Sequence, residues 1–123
     1  MNVCFIILLM IFCHIVDDYY LQGWLASAKQ KKWWAENAPQ SLYKYDYIWA
    51  LIMHSFSWTF MIMLPVAFTM SFQINMLFII VFIANMIVHA MTDNEKANRF
   101  TINLWIDQIV HLSQIAMTAV VLL

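Results

Sequence analysis

Histidine and aspartate side chains occur four residues apart at three places in this chain. Residues with that spacing project from one face of a helix, so each pair can present an imidazole and a carboxylate to a single site. Both groups are common ligands of divalent transition metals. A further histidine, in another apolar segment, adds a fourth imidazole. The sequence therefore predicts a metal centre with seven candidate ligands: His14, Asp18, His54, His89, Asp93, Asp107 and His111.

The number and type of these ligands narrow the metal and its environment. Seven side chains exceed the three or four protein ligands of a single zinc ion. The sequence is compatible with two ions, or with one ion and carboxylates that orient the imidazoles. Mixed imidazole and carboxylate ligation favours zinc, with manganese and iron as alternatives, over magnesium or calcium. Asp17, three residues after His14, is an alternative to Asp18 as its partner. Three amides are expected to hydrogen-bond around the ligands: Gln22, Asn85 and Gln108.

A spare carboxylate beside such a centre indicates hydrolytic chemistry. A bound metal activates water, and two ions can hold the attacking and leaving oxygens. We expect Asp18 or Asp93 to act as the general base of a metal-dependent hydrolase that acts at the membrane. Two alternatives remain open. Intramembrane His and Asp residues also serve proton or metal-ion transport and relay, and the metal could be structural in a non-catalytic interaction protein.

The composition predicts that these ligands lie inside a membrane. Of 123 residues, 64% are hydrophobic and only 11% are charged, which is not the composition of a small soluble domain. A single Gly, two Pro and long continuous apolar runs argue against a turn-rich β-barrel. The net charge of -1, without a basic stripe, excludes a nucleic-acid binder. We therefore predict an all-α integral membrane protein.

Four apolar segments organise the chain, which we interpret as one transmembrane domain over residues 1–123. They predict an up-down four-helix bundle in the lipid bilayer. The connection 23–46 interleaves lysines with Trp and Tyr, which is typical of an interfacial helix or an aromatic-anchored loop, and it could bind an anionic lipid or a protein partner. Homo-oligomerisation is left open. The predicted spans are about 2–22, 47–70, 74–92 and 102–123.

The basic residues predict the orientation. All six lie in the connections 23–46 and 93–101, and connections rich in Lys and Arg stay in the cytoplasm. Both termini would then lie on the outer, periplasmic side. The histidines and all seven acidic residues would lie towards the cytoplasmic side.

At these residues the chain resembles a family of small bacterial and phage membrane proteins, the domain of unknown function 3307. The resemblance extends over nearly the whole chain and implies a bacterial inner-membrane protein, but the family name implies no reaction. It is carried by His14-Ile-Val-Asp-Asp18-Tyr-Tyr-Leu-Gln22 followed by Trp24, by His54, by His89-Ala-Met-Thr-Asp93 followed by Lys96, and by Asp107-Gln108-Ile-Val-His111.

Overall fold

The long apolar runs of the chain fold as helices. The computed structural model describes residues 2–123. Met1, the first residue of the predicted domain, lies outside the described residues. The all-α prediction is confirmed. The α-helices are α1 (Val3–Ile15), α2 (Leu25–Ala28), α3 (Lys31–Asn37), α4 (Asp46–Thr69), α5 (Met76–Asn94) and α6 (Leu104–Leu122). Helices α1 and α5 each continue as a π-helix, over Val16–Leu21 and Glu95–Arg99, respectively. A 3-10 turn, Ser41–Tyr43, precedes α4.

Polar residues determine where the long helices begin and where the chain turns. Asn2, Asn75 and Asn103 precede α1, α5 and α6, and each side chain accepts a hydrogen bond from a first-turn backbone N–H at 2.8, 2.9 and 3.0 Å, respectively. Those N–H groups have no partner within the helix, so the caps stabilise the helix starts. Gly23 has φ +50°, which a glycine adopts without steric cost, and it turns the chain from the first π-helix into α2.

The four long helices pack as a closed, antiparallel bundle. Helix α4 packs against α1 and α5, and α6 contacts both α1 and α5. The carboxyl ends of α1 and α5 meet the amino-terminal parts of α4 and α6 at one end of the bundle. Neighbouring helices therefore alternate in direction, as predicted.

Polarity is distributed in the reverse of the usual soluble pattern. Large apolar side chains cover the outside, and Phe12, Trp105 and Val120 are 60%, 79% and 80% exposed. Contiguous apolar surface of this kind needs a non-aqueous partner. Within residues 2–123, four helices are long and apolar enough to cross a membrane: Val3–Leu21, Ser41–Thr69, Met76–Arg99 and Leu104–Leu122. The surface and the helix lengths together suggest insertion into a membrane.

The polar residues predicted to follow the third span belong to its helix. The helix that contains the predicted span 74–92 continues beyond it through Arg99. Side-chain pairs four residues apart support the extension: Arg99 donates to Glu95 at 2.9 Å, and Asn98 donates to Asn94 at 3.0 Å. The connection 23–46 is also largely helical, and α3 occupies the stretch where an interfacial helix was expected.

Candidate metal centre

The structure brings six of the seven predicted ligands together at one level of the bundle. Asp18 comes from the π-helix after α1, His54 from α4, and the other four come in pairs from α5 and α6. Each is at most 7% exposed. They form three overlapping groups whose ligand atoms lie within 4.8 Å of one another and could hold a metal ion: Asp18, His89 and His111; His54, His89 and Asp93; Asp93, Asp107 and His111.

The imidazole–carboxylate separations in this cluster exceed ordinary hydrogen-bond lengths. His54 Nε2 lies 3.3 Å from Asp18 Oδ1 and 3.4 Å from Asp93 Oδ2. His111 Nε2 lies 3.4 Å from Asp107 Oδ1 and 3.6 Å from Asp93 Oδ1. An N–H···O hydrogen bond usually spans about 2.7–3.2 Å. In contrast, two atoms bound to one tetrahedral zinc ion at about 2.0–2.1 Å lie about 3.3–3.4 Å apart. The three separations of 3.3–3.4 Å fit two ligands of one ion better than they fit hydrogen-bonded neighbours.

Several atoms in the cluster are buried without a hydrogen-bond partner among residues 2–123. They are Nδ1 and Nε2 of His54 and His89, Nε2 of His111, and Oδ1 of Asp107. Leaving a buried polar group unpaired costs about 1–3 kcal/mol, and such groups are rare in native proteins. A divalent cation would give one nitrogen of each imidazole and the carboxylate oxygen the partner that they lack.

The core also contains more carboxylates than ammonium groups. Lys29 Nζ lies 2.6 Å from Asp93 Oδ2, and Lys96 Nζ lies 2.7 Å from Asp107 Oδ2. With neutral imidazoles and four ionised carboxylates, two negative charges are left over, and an uncompensated buried charge costs several kcal/mol. One divalent cation would balance them. The four buried carboxylates are Asp17, Asp18, Asp93 and Asp107.

Lys29 is a core residue that the sequence analysis assigned to the membrane surface. Its side chain is 10% exposed, and its partner Asp93 is 64 positions away in the sequence. Asn98 holds the backbone beside it, donating to Lys29 O at 2.9 Å and accepting from Lys31 N at 2.7 Å. The first connection is thereby attached to the π-helix that follows α5, and no local sequence pattern signals this.

The π-helix after α1 buries two adjacent carboxylates. Gln22 N donates to Asp17 O at 3.1 Å, the i→i+5 bond that defines a π-turn. Asp17 Oδ1 accepts from Ser57 Oγ at 2.5 Å, and its Oδ2 lies 3.8 Å from His54 Nδ1. His54 thus has Asp17 on the Nδ1 side and Asp18 on the Nε2 side. A carboxylate behind an imidazole orients the ring for metal binding.

His14 differs from the other six candidates because both of its ring nitrogens have protein partners. Trp58 Nε1 donates to His14 Nδ1 at 2.8 Å, and His14 Nε2 lies 3.0 Å from Gln108 Oε1. A neutral ring that accepts at Nδ1 and donates from Nε2 satisfies both contacts. In this arrangement His14 orients Gln108 and leaves no nitrogen for a metal.

Gln108 is the predicted amide that links the carboxylates directly. Its Nε2 donates to Asp18 Oδ2 at 3.1 Å and to Asp107 Oδ2 at 3.0 Å. It therefore joins α1 to α6 and turns the second oxygen of each carboxylate away from the imidazoles. Gln22 donates to the backbone carbonyl of Asp18 instead of its carboxylate.

Asn85 contacts the cluster through an intermediate side chain. Gln114 Nε2 donates to Asn85 Oδ1 at 3.0 Å, and Gln114 Oε1 lies 3.4 Å from His111 Nδ1. Asn85 also donates to Thr118 Oγ1 at 2.7 Å. These hydrogen bonds support the Nδ1 side of the His111 ring and leave its Nε2 facing the carboxylates.

Trp58 is a second core residue that the sequence analysis missed. Its fully buried ring stacks on His89 with centroids 4.2 Å apart, and His89 stacks on His111 at the same separation. Trp58 follows His54 by four residues, so both side chains project from one face of α4. That spacing is the sequence signal that could have identified it.

A cleft between α1 and α6 lies on the bundle surface beside the cluster. Its volume is about 480 Å³. Gln108, part of its wall, contacts two candidate ligands. A molecule in the cleft would thus be one side chain away from the carboxylates. The cleft is lined by Ile11, His14, Ile15, Tyr19, Tyr20, Gln108 and Leu112.

Residues 5–123 match the model of a protein family described as "Protein of unknown function (DUF3307)". The protein belongs to this family. The match includes all seven candidate ligands and confirms the resemblance identified from the His and Asp motifs. No curated protein and no solved structure matches this chain. The family description names no reaction, so the function has to be argued from the site.

Proposed function

We propose that this protein binds one or two divalent transition metal ions in its bundle core and uses them for hydrolysis at the membrane. Zinc is the preferred ion, with manganese and iron as alternatives. The observation that carries the proposal is the set of unpaired imidazole and carboxylate atoms at metal-ligand spacing. The proposed ligands are His54, His89, Asp93, Asp107 and His111, and Asp18 lies beside them in the same cluster.

Asp93 is the proposed centre of the site. Its Oδ2 lies 3.4 Å from His54 Nε2 and 3.7 Å from His89 Nε2, whereas its Oδ1 lies 3.6 Å from His111 Nε2. Asp93 would therefore take part in holding each ion if two were bound. In a two-ion site, His54 and His89 would hold one ion, and His111 with Asp107 would hold the other.

Asp18 is the better of the two predicted general bases. A divalent cation in this core would polarise a carbonyl or phosphoryl oxygen and activate water. Both oxygens of Asp93 face imidazoles, and Oδ2 also contacts Lys29. Asp18 accepts a hydrogen bond from Gln108, and Gln108 forms part of the wall of the α1/α6 cleft. We therefore assign metal holding to Asp93 and proton acceptance from water to Asp18.

The cleft favours an amphipathic substrate. Its outer part is formed by apolar chains such as Ile11, Ile15 and Leu112, and its inner wall includes His14 and Gln108. A phosphoester, ester or amide that carries an acyl chain could lie with the chain along the apolar part and the scissile group towards Asp18. This is the proposed substrate class.

Transport has weaker support because the other half of the bundle interior contains no buried ionisable side chain among residues 2–123 and is mostly apolar. A transported ion needs polar groups along its path. Beyond the His and Asp cluster, the interior is packed by a hydrophobic core that includes Ile6, Met10, Ile62, Met63, Val66 and Ile115. Hydrolysis at one membrane surface requires no path through this core.

The proposed orientation has the site on the cytoplasmic side of a bacterial inner membrane and both termini in the periplasm. All six basic residues lie in the connections 23–46 and 93–101. These connections contact each other, since Lys31 N donates to Asn98 Oδ1 at 2.7 Å. This contact supports placing both connections on one side of the membrane, and their positive charges favour the cytoplasmic side.

The hydrolytic proposal is tested with metal-loaded protein in detergent on panels of phospholipids, acyl esters and lipid amides. We expect turnover of at least one class. Asp18→Asn should lose roughly 10²–10⁴-fold in rate, the usual contribution of a general base. Asp46→Asn, at the start of α4 and outside the cluster, is the matched control and should retain the rate. A folded, metal-loaded wild type that hydrolyses none of the panels would contradict the enzymatic proposal and favour a structural metal.

A further inference from the structure

A second cavity lies in the first connection, away from the His and Asp cluster. Its volume is about 320 Å³, within the range of about 300–1,000 Å³ that is usual for small-molecule sites. It is formed by α3, the 3-10 turn and the start of α4. Its polar and aromatic lining includes Lys31, Trp34, Gln40, Ser41, Lys44 and Tyr47.

The two lysines of this cavity contact aromatic rings and, within residues 2–123, form no ion pair. Lys31 Nζ lies 4.9 Å from the centroid of the Tyr47 ring, and Lys44 Nζ lies 5.4 Å from that of Tyr45. The acidic side chain of α3, Glu36, instead contacts Lys32 at 3.7 Å. Two positive charges therefore border the cavity without a neutralising carboxylate, which favours an anionic ligand.

The position of the cavity favours a ligand at lipid headgroup depth. The candidate span Ser41–Thr69 begins within the cavity lining. Trp34 packs edge-to-face on Trp33 at 5.0 Å and stacks on Tyr43 at 6.2 Å. Trp and Tyr clusters of this kind concentrate at the boundary between hydrocarbon and water, where phosphate headgroups also lie.

We propose that this cavity binds the phosphate group of an anionic phospholipid. Lys31 and Lys44 supply the positive charge, and the Ser41 hydroxyl and the Gln40 amide can donate hydrogen bonds to phosphate oxygens. The glycerol and acyl chains would lie along the outside of the bundle. Soluble phosphate offers the same chemistry, so the test has to separate the two sources.

The test is native mass spectrometry of the full chain with phosphatidylglycerol and phosphatidylcholine of matched acyl chains. Wild type should retain phosphatidylglycerol preferentially. The double variant Lys31→Gln, Lys44→Gln should bind it roughly 30-fold more weakly, because each lysine near an anionic lipid contributes about fivefold. The matched control is Lys32→Gln, Arg99→Gln, which removes the same charge from side chains paired with Glu36 and Glu95. It should bind like wild type.

Three results would overturn the proposal. Equal retention of the two lipids would remove the anionic preference, and leave the connection as a candidate surface for a protein partner. An equal loss of phosphatidylglycerol binding in both double variants would mean that only the net charge of the protein matters, and not the cavity. Displacement of phosphatidylglycerol by millimolar inorganic phosphate would assign the cavity to soluble phosphate. Circular dichroism melts of both variants verify that these exposed substitutions leave the fold intact.

Discussion

Replacing Lys29 by methionine tests whether the core is built to hold a cation. The substitution keeps the length and apolar character of the side chain but removes the ammonium group that lies 2.6 Å from Asp93 Oδ2. The buried negative charge in excess then rises from two to three. We expect the metal to bind more tightly to the variant, since it meets less competition for Asp93.

The magnitude follows from the shared oxygen. An ion about 2.1 Å from Asp93 Oδ2 would lie within about 5 Å of Lys29 Nζ. At an effective dielectric constant of about 20, a unit charge and a divalent ion at that distance repel by about 7 kcal/mol. The Lys29 side chain can move away from the ion and so relieve part of this repulsion. The measured gain in metal affinity will therefore be a fraction of about 7 kcal/mol. We expect an affinity gain of about ten- to hundredfold, which corresponds to about 1.4–2.8 kcal/mol.

The assay is competition with a chromogenic chelator in detergent, combined with thermal unfolding with and without metal. The metal-free variant should melt earlier than wild type, because an unpaired buried carboxylate costs about 3–5 kcal/mol. Metal should recover most of that loss. Lys32→Met is the control, since Lys32 is exposed and contacts Glu36, and it should change neither quantity. Unchanged or weaker metal binding by Lys29→Met would refute the reasoning.

Two further predictions concern the scaffold. Trp58→Phe keeps a ring against His89 but removes the donor to His14 Nδ1, so the free energy of unfolding should fall by about 1–3 kcal/mol while metal content is retained. Chemical denaturation in mixed micelles measures the free energy of unfolding. An unchanged midpoint would mean that the Trp58–His14 hydrogen bond contributes nothing. Asn103→Ala removes the cap of α6 and should cost about 1 kcal/mol, read from the thermal midpoint. An equal loss in Asn37→Ala, at the exposed end of α3, would argue against the cap.

The architecture could be predicted because apolar length and the spacing of polar residues are local properties. Each long apolar run became one long helix, and spacing four placed His89 with Asp93, and Asp107 with His111, on the interior faces of α5 and α6. A membrane helix has few ways to bury an imidazole and a carboxylate other than towards its neighbours. The cluster therefore followed from the periodicity of each helix.

The remaining features depend on geometry that periodicity does not describe. The π-turn after α1 let Asp17 and Asp18 both reach the interior, whereas regular spacing treated them as alternatives. His14 has the expected burial, but its nitrogens are engaged by residues of α4 and α6. Lys29 enters the core from a connection whose composition indicates the membrane surface. These outcomes depend on helix rotation and on long-range contacts.

The central claim is that the cluster of six candidates forms a metal centre and that His14 lies outside it. Its most direct test is elemental analysis by mass spectrometry of protein purified in detergent without chelator. Wild type and His14→Gln should each contain one or two equivalents of a transition metal. The double variant His54→Ala, His111→Ala should contain none. A folded wild type without metal would contradict the account and leave the cluster as a structural polar core.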